Sequence, residues 1–123
     1  MSDTIKVLIV DDSAFARSVI AKKLGTDPSI AVAGFARDGA DALEKIKELK
    51  PDVVTMDIIL PGMNGIEATR QIKMLYPQIK IIMVSALGGE LREQAAAAGA
   101  DGYVPKELAH EALVDSVADV VSK

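Results

Sequence analysis

Short apolar runs alternate five times with longer stretches of helical period along the chain. Residues 6–10 (KVLIV), 30–35 (IAVAGF), 52–56 (DVVTM), 80–85 (KIIMVS) and 102–104 (GYV) are apolar almost continuously instead of at every second position. Such runs predict strands covered on both faces. Between them, Ala16, Val19, Ile20 and Leu24 mark one helical stripe, and Ala42, Leu43, Ile46 and Leu49 mark a second. Ala68, Ile72 and Leu75 give a third, and Leu113, Val117, Val120 and Val121 give the last. A helix over 90–98 is placed by position, because its four consecutive alanines carry propensity but little period. Gly25 and Gly99 read as C-terminal caps, Pro51 and Pro77 as stops, and Asn64-Gly-Ile-Glu67 resembles a capping box.

The 123 residues are one ordinary domain in length, read here as a single domain over 1–123. Alternation of this kind predicts the α/β class: a doubly wound parallel sheet of five strands in (βα)5 arrangement, with helices on both faces. Half the residues are hydrophobic but only 3% are aromatic, so the core must be aliphatic. With no cysteine, disulfides, thiolate metal sites and thiol catalysis are excluded together, which fits a reducing cytoplasm. The net charge of −4 disfavours direct contact with nucleic acid or an anionic membrane surface. The start, MSDTIK, is too polar for a secretory signal, and no apolar run approaches the ~18 residues of a membrane span. A cytoplasmic location is expected.

In open parallel sheets ligands bind beyond the carboxyl ends of the strands. The first strand ends in Asp11 and Asp12, the third in Asp57 and the fourth in Ser85, and the fifth leads into Lys106. Each alone has an ordinary explanation: Asp12-Ser13 as a helix cap, Asp57 before Leu60-Pro-Gly-Met-Asn-Gly65 as turn chemistry, Ser85 and Lys106 as surface residues. Together they define one edge. If the first and third strands are neighbours, three carboxylates converge, and like charges that close require a cation or a proton. Oxygen-only ligands favour a hard ion such as Mg²⁺ (or Mn²⁺), and a lysine at the rim supplies a point charge for an anion. This set suits phosphoryl transfer with a carboxylate as nucleophile. No G-x-x-x-x-G-K-[ST] loop and no G-x-G-x-x-G follows the first strand. His110, the single histidine, reads as a solvated surface residue in the last helix.

These residues carry a family likeness. VLIVDDS at 7–13, PDVVTMDIILPGMNG at 51–65, MVSA at 83–86 and AGADGYVPK at 98–106 resemble the receiver domain of bacterial two-component response regulators, over essentially the whole chain. The resemblance implies a flavodoxin-like sheet in the order 2-1-3-4-5. It implies that Asp57 accepts a phosphoryl group from a sensor histidine kinase or phosphotransfer protein, so that the chain catalyses its own modification without turning over a free substrate. Asp12, Asp57 and the backbone carbonyl of Ile59 would hold Mg²⁺, with Asp11 acting through water. Ser85 and Lys106 would contact phosphoryl oxygens. Tyr103 matches the switch aromatic that moves with Ser85, and the surface of the fourth helix, fifth strand and fifth helix would carry the signal to an output protein or effector domain, or to a phosphorylation-dependent dimer.

The chain departs from common receivers at two places. Glu107, not proline, follows Lys106, so the resemblance alone does not fix the loop that aims the lysine. Ile59 and Leu87 are apolar where polar side chains in the family can orient the hydrolytic water, which predicts slow loss of phosphate. The start, VDDSAFAR, is similar to chemotaxis receivers, including those of methylesterases, whereas GIEATRQI and the lysine–acid pair are similar to receivers fused to helix-turn-helix domains. A rival from another class is a Mg²⁺-dependent phosphatase with an aspartate nucleophile, but it would be expected to carry Asp-x-Asp and an inserted cap, neither of which is present.

Overall fold

The computed structural model describes residues 4–86 and 89–122, apart from the side chains of Glu90 and His110. Five strands alternate with five helices: β1 (Ile5–Val10), α1 (Ala14–Leu24), β2 (Ile30–Ala36), α2 (Gly39–Leu49), β3 (Val53–Met56), α3 (Gly65–Leu75), β4 (Lys80–Ser85), α4 (Arg92–Ala97), β5 (Gly102–Pro105) and α5 (Ala109–Val121). The sheet is parallel throughout, in the order β2-β1-β3-β4-β5. This is the expected flavodoxin-like (βα)5 arrangement. Among the described residues no helix is long and apolar enough to cross a membrane.

The continuous apolar runs follow from the two-sided sheet. Leu8, Val10, Val54, Met56, Ile81 and Met83 point into a core shared with Ala42, Ile46, Ala68, Ile72 and Ala95 of α2, α3 and α4. Val7, Ile9, Val53, Ile82, Val84 and Val104 point the other way, onto Ile20 and Leu24 of α1 and Leu113, Val117 and Val120 of α5. Successive strand residues face opposite sides, so burying both faces favours apolar residues at almost every position, Thr55 of β3 being a buried polar exception. The edge strands β2 and β5 are less buried, β2 most plainly. The inner positions of β2 are half-buried and Phe35 is 42% exposed, because neighbours cover only one of its long sides.

The helix signals hold with local corrections. Ser13, Asp38 and Asn64 cap α1, α2 and α3 by accepting the N–H of Ala16, Asp41 and Glu67 at 3.2, 2.8 and 2.9 Å. Only half of the expected capping box forms, because the Glu67 carboxylate accepts from Arg70 and Gln71 on its own helix. Gly25 caps α1 in a right-handed conformation; the left-handed caps are Gly99 (φ +108°) and, unexpectedly, Lys50 (φ 50°) just before Pro51. The fourth helix is shorter than the predicted 90–98, since Gly89–Leu91 forms a separate 3₁₀ turn. Val19, Leu75 and Val121 leave their predicted stripes for solvent. At the end of α3 the packing role passes from Leu75 to the half-buried Tyr76.

At the end of the sheet remote from the candidate site, Lys73 ties three elements together. Its Nζ donates to the carbonyls of Pro77 and Ile79 at 3.2 and 2.9 Å and to Asp101 Oδ2 at 3.0 Å, while Asp101 also accepts the Ile81 N–H at 2.9 Å. A partly buried hub of this kind leaves several groups unsatisfied when one member is lost. Asp101→Ala is therefore expected to lower unfolding free energy by about 2 kcal/mol in urea titration. A change within ~0.3 kcal/mol would show the hub to be a solvated surface pair.

Candidate functional site

Strand register builds the site. β1 and β3 pair from Val7 with Val53 to Val10 with Met56, so the next residue on each strand, Asp11 and Asp57, emerges side by side. Ser85 closes β4 opposite Pro105 of β5, and Lys106 follows directly. Asp11 and Asp57 are buried, Asp12 is exposed, and one carboxylate oxygen from each of the three lies within 4.8 Å of the others. Lys106 reaches across the edge, its Nζ 3.0 Å from Asp11 Oδ2 and 3.2 Å from Asp57 Oδ2. Every described peptide bond is trans, so the lysine reaches both acids without the proline common in this loop.

Backbone contacts fix where the acids stand. The Asp11 N–H donates to Ala36 O at 3.1 Å, its Oδ1 accepts the Ser13 N–H at 3.0 Å, and its carbonyl accepts from Arg17 Nη1 at 2.8 Å. The Asp57 N–H donates to Val10 O at 3.0 Å, and Gly65 N–H donates to Ile58 O at 2.7 Å. A Cβ on Gly65 would lie 1.9 Å from the Asp57 carbonyl oxygen. Only glycine lets α3 start against the backbone that carries this aspartate.

Burial, then repulsion from Asp11, holds the Asp57 carboxyl above the ordinary carboxylate range, against hydrogen bonding and charge from Lys106 and a bond from the Ile59 N–H. For Lys106, burial alone would lower the pKa, but hydrogen bonds to Asp11 and Asp57 and their charge outweigh it and raise it above the ordinary lysine value. The three acids and one lysine leave a formal −2 at one edge. The set fits a hard divalent cation on chemical grounds: all donors are oxygen, and among the described residues the buried Asp11 Oδ2 has only Lys106 as a partner.

The remaining expected residues that the structure describes differ in exposure. Ser85 is buried, and the side chain of Ile59 is 60% exposed. Tyr103 is half-buried beneath Arg92, whose guanidinium lies 5.2 Å from the ring centroid. Leu87 and the His110 side chain lie outside the described residues. Sequence reasoning missed Gly65 and Arg17. In the sequence Gly65 carries only turn and cap signals. Arg17 had one signal, a cation early in a helix, where the helix dipole disfavours it unless a local partner compensates. The cavity of 520 Å³ lined by Ile46, Asp52 and Tyr76 lies at the opposite edge of the sheet, so strand-end chemistry, not cavity size, locates the site.

The raised carboxyl has a consequence for stability. A folded-state pKa above the unfolded value means that the charged form opposes folding, so stability falls as pH rises from the ordinary carboxylate range through that raised value. With chelator present at pH 7, Asp57→Asn should therefore raise the melting temperature by a few degrees, and the gain should fade toward pH 4. An Asn variant that melts lower than the native protein at pH 7 would contradict this.

Comparison with known proteins agrees with the geometry. The family described as the response regulator receiver domain matches residues 7–118. The chemotaxis protein CheY of Thermotoga maritima is 44% identical over 113 residues, covering 91% of this chain and 93% of that protein. A protein-glutamate methylesterase/protein-glutamine glutaminase of Pyrococcus horikoshii is 45% identical over 109 residues; the match covers 86% of this chain but spans only 29% of that relative. Among solved structures, the response regulator domain of Thermotoga maritima CheB superposes with a TM-score of 0.89 at 38% identity, covering 98% of both chains. A CheX–CheY–BeF3–Mg complex from Borrelia burgdorferi superposes at 0.87 with 31% identity, covering 97% of this chain and 90% of that one. With its sheet order, its acid cluster and these matches in agreement, the chain belongs to the response regulator receiver domains of two-component signalling.

Proposed function

We propose that this receiver is a phosphorylation-dependent switch in which Asp57 takes a phosphoryl group from the phosphohistidine of a sensor histidine kinase or phosphotransfer protein. The observation that carries the reading is the ammonium of Lys106 lying within 3.2 Å of both Asp11 and Asp57, where the three carboxylates meet. An oxygen of the Asp57 carboxylate attacks phosphorus, the new P–O bond forms as the P–N bond to the imidazole breaks, and the freed imidazole leaves carrying its electron pair. Burial and then repulsion from Asp11 make this carboxylate more basic than an ordinary one, and the Lys106 ammonium beside it works against that shift. As the phosphoryl group arrives, Lys106 pairs with one of its oxygens and Ser85 donates to another. A Mg²⁺ or Mn²⁺ held by Asp12, Asp57 and the Ile59 carbonyl, with Asp11 acting through water, would neutralise charge on the phosphoryl oxygens.

The same event supplies the signal. Lys106 and Ser85 redirect toward the new anion, and Tyr103, on β5 under Arg92, moves with them. The face made by α4, β5 and α5 then engages an output protein, an effector domain or a second receiver, with the whole cycle in the cytoplasm. Ile59 and Leu87 offer no polar group to an attacking water, so the acyl phosphate persists.

Incubation with Mg²⁺ and a small acyl-phosphate donor, followed by intact mass over time, tests both parts. A gain of one phosphoryl group that is absent in Asp57→Asn is expected, with a lifetime shortened several-fold by Ile59→Asn combined with Leu87→Glu. No gain, or a gain that survives Asp57→Asn, overturns the assignment; an unchanged lifetime overturns the account of hydrolysis.

A further inference from the structure

We infer that Arg17 is a positioning residue for the cation site: through the carbonyl of Asp11 it sets the peptide on which Asp12 is mounted. The inference rests on the reading of Asp11, Asp12 and Asp57 as ligands of a divalent cation. The last β1 positions paired in the sheet are Val10 with Ala36 and Val10 with Met56. The carbonyl of Asp11 lies one residue beyond them, and the bond it accepts comes from Arg17 Nη1 at 2.8 Å. Arg17 itself is anchored, because its backbone N–H makes the first helical bond of α1 to Ser13 O at 3.0 Å.

Asp11 is thereby held at its N–H by Ala36, at its carboxylate by Ser13 and Lys106, and at its carbonyl by Arg17. Asp12 is exposed, and the other end of the Asp11–Asp12 peptide carries its Cα. If that peptide turns, the Asp12 carboxylate swings out of the group whose oxygens now lie within 4.8 Å of one another. A residue that orients a ligand in this way typically changes metal affinity by 10- to 100-fold when removed.

Electrostatics alone makes the opposite prediction. A guanidinium bonded to the backbone of one ligand is a positive charge beside the site and repels an incoming cation, so its removal should tighten binding. The sign of the change therefore separates positioning from charge. Mg²⁺ affinity of the full chain can be measured by calorimetry, with the Asp11 carbonyl ¹³C shift reporting the bond itself. For Arg17→Met, an affinity about tenfold weaker is expected, with a shifted Asp11 carbonyl resonance and a folded circular dichroism spectrum.

Affinity equal to or tighter than the native value, with the fold intact, overturns the inference. Should Arg17→Met fail to fold, Arg17→Lys decides: it keeps the charge but lacks the planar fork. Weakened binding with a shifted Asp11 carbonyl then supports positioning, and unchanged binding overturns it. Native protein that takes up no Mg²⁺ overturns the cation-site reading along with this one, whereas an unchanged variant beside a binding native protein overturns this one alone.

Discussion

Three carboxylates with oxygens within 4.8 Å of one another repel, and two of them are buried where water cannot screen them. The fold brings them together because β1 and β3 are in register to their last paired residues, with an aspartate immediately beyond each. Only one ammonium, that of Lys106, is ion-paired to Asp11 and Asp57 among the described residues. The arrangement opposes folding at its own site, and the aliphatic layers on both faces of the sheet outweigh it. Under the proposed function, the same crowding that opposes folding would give the edge its affinity for a cation and, after that, for a phosphoryl group.

The scaffold around this edge is correspondingly tight. Gly65 brings α3 against the Asp57 backbone, Ser13 both caps α1 and donates its N–H to Asp11, and Arg17 holds the carbonyl between the two acids that follow β1. Each contact has main chain on at least one side, so the acids are aimed through the backbone even where, as with Arg17, the donor is a long side chain. Such preorganisation matters in phosphoryl transfer, where the protein contributes mainly position and charge. The opposite edge has the separate Lys73–Asp101 hub, which holds α3, β4 and the start of β5 without touching the acids.

The arrangement of strands was legible because a two-sided sheet forces unbroken aliphatic runs, and the site was legible because ligand-bearing residues in such sheets sit at strand ends. What was not legible depends on neighbours distant in sequence. Phe35 belongs to an apolar run yet is exposed because β2 lies at an edge, and Leu75 keeps the helical period yet yields its place to Tyr76. Lys50 adopts a left-handed cap that a glycine would normally fill, and its side chain gives no sign of it. Gly65 and Arg17 act through backbone atoms of Asp57 and Asp11, and a backbone atom leaves no mark on residue type.

The central claim is that this crowded charge is what a divalent cation relieves. The most direct measurement is the melting temperature of the native chain as Mg²⁺ is titrated in at fixed ionic strength. Binding to the folded state alone predicts a rise that grows with the logarithm of concentration, about 2.7 kcal/mol of added stability at a hundredfold excess over the dissociation constant, and largely lost in Asp12→Asn. A melting temperature that is flat across the titration, or that rises equally in Asp12→Asn, would contradict it.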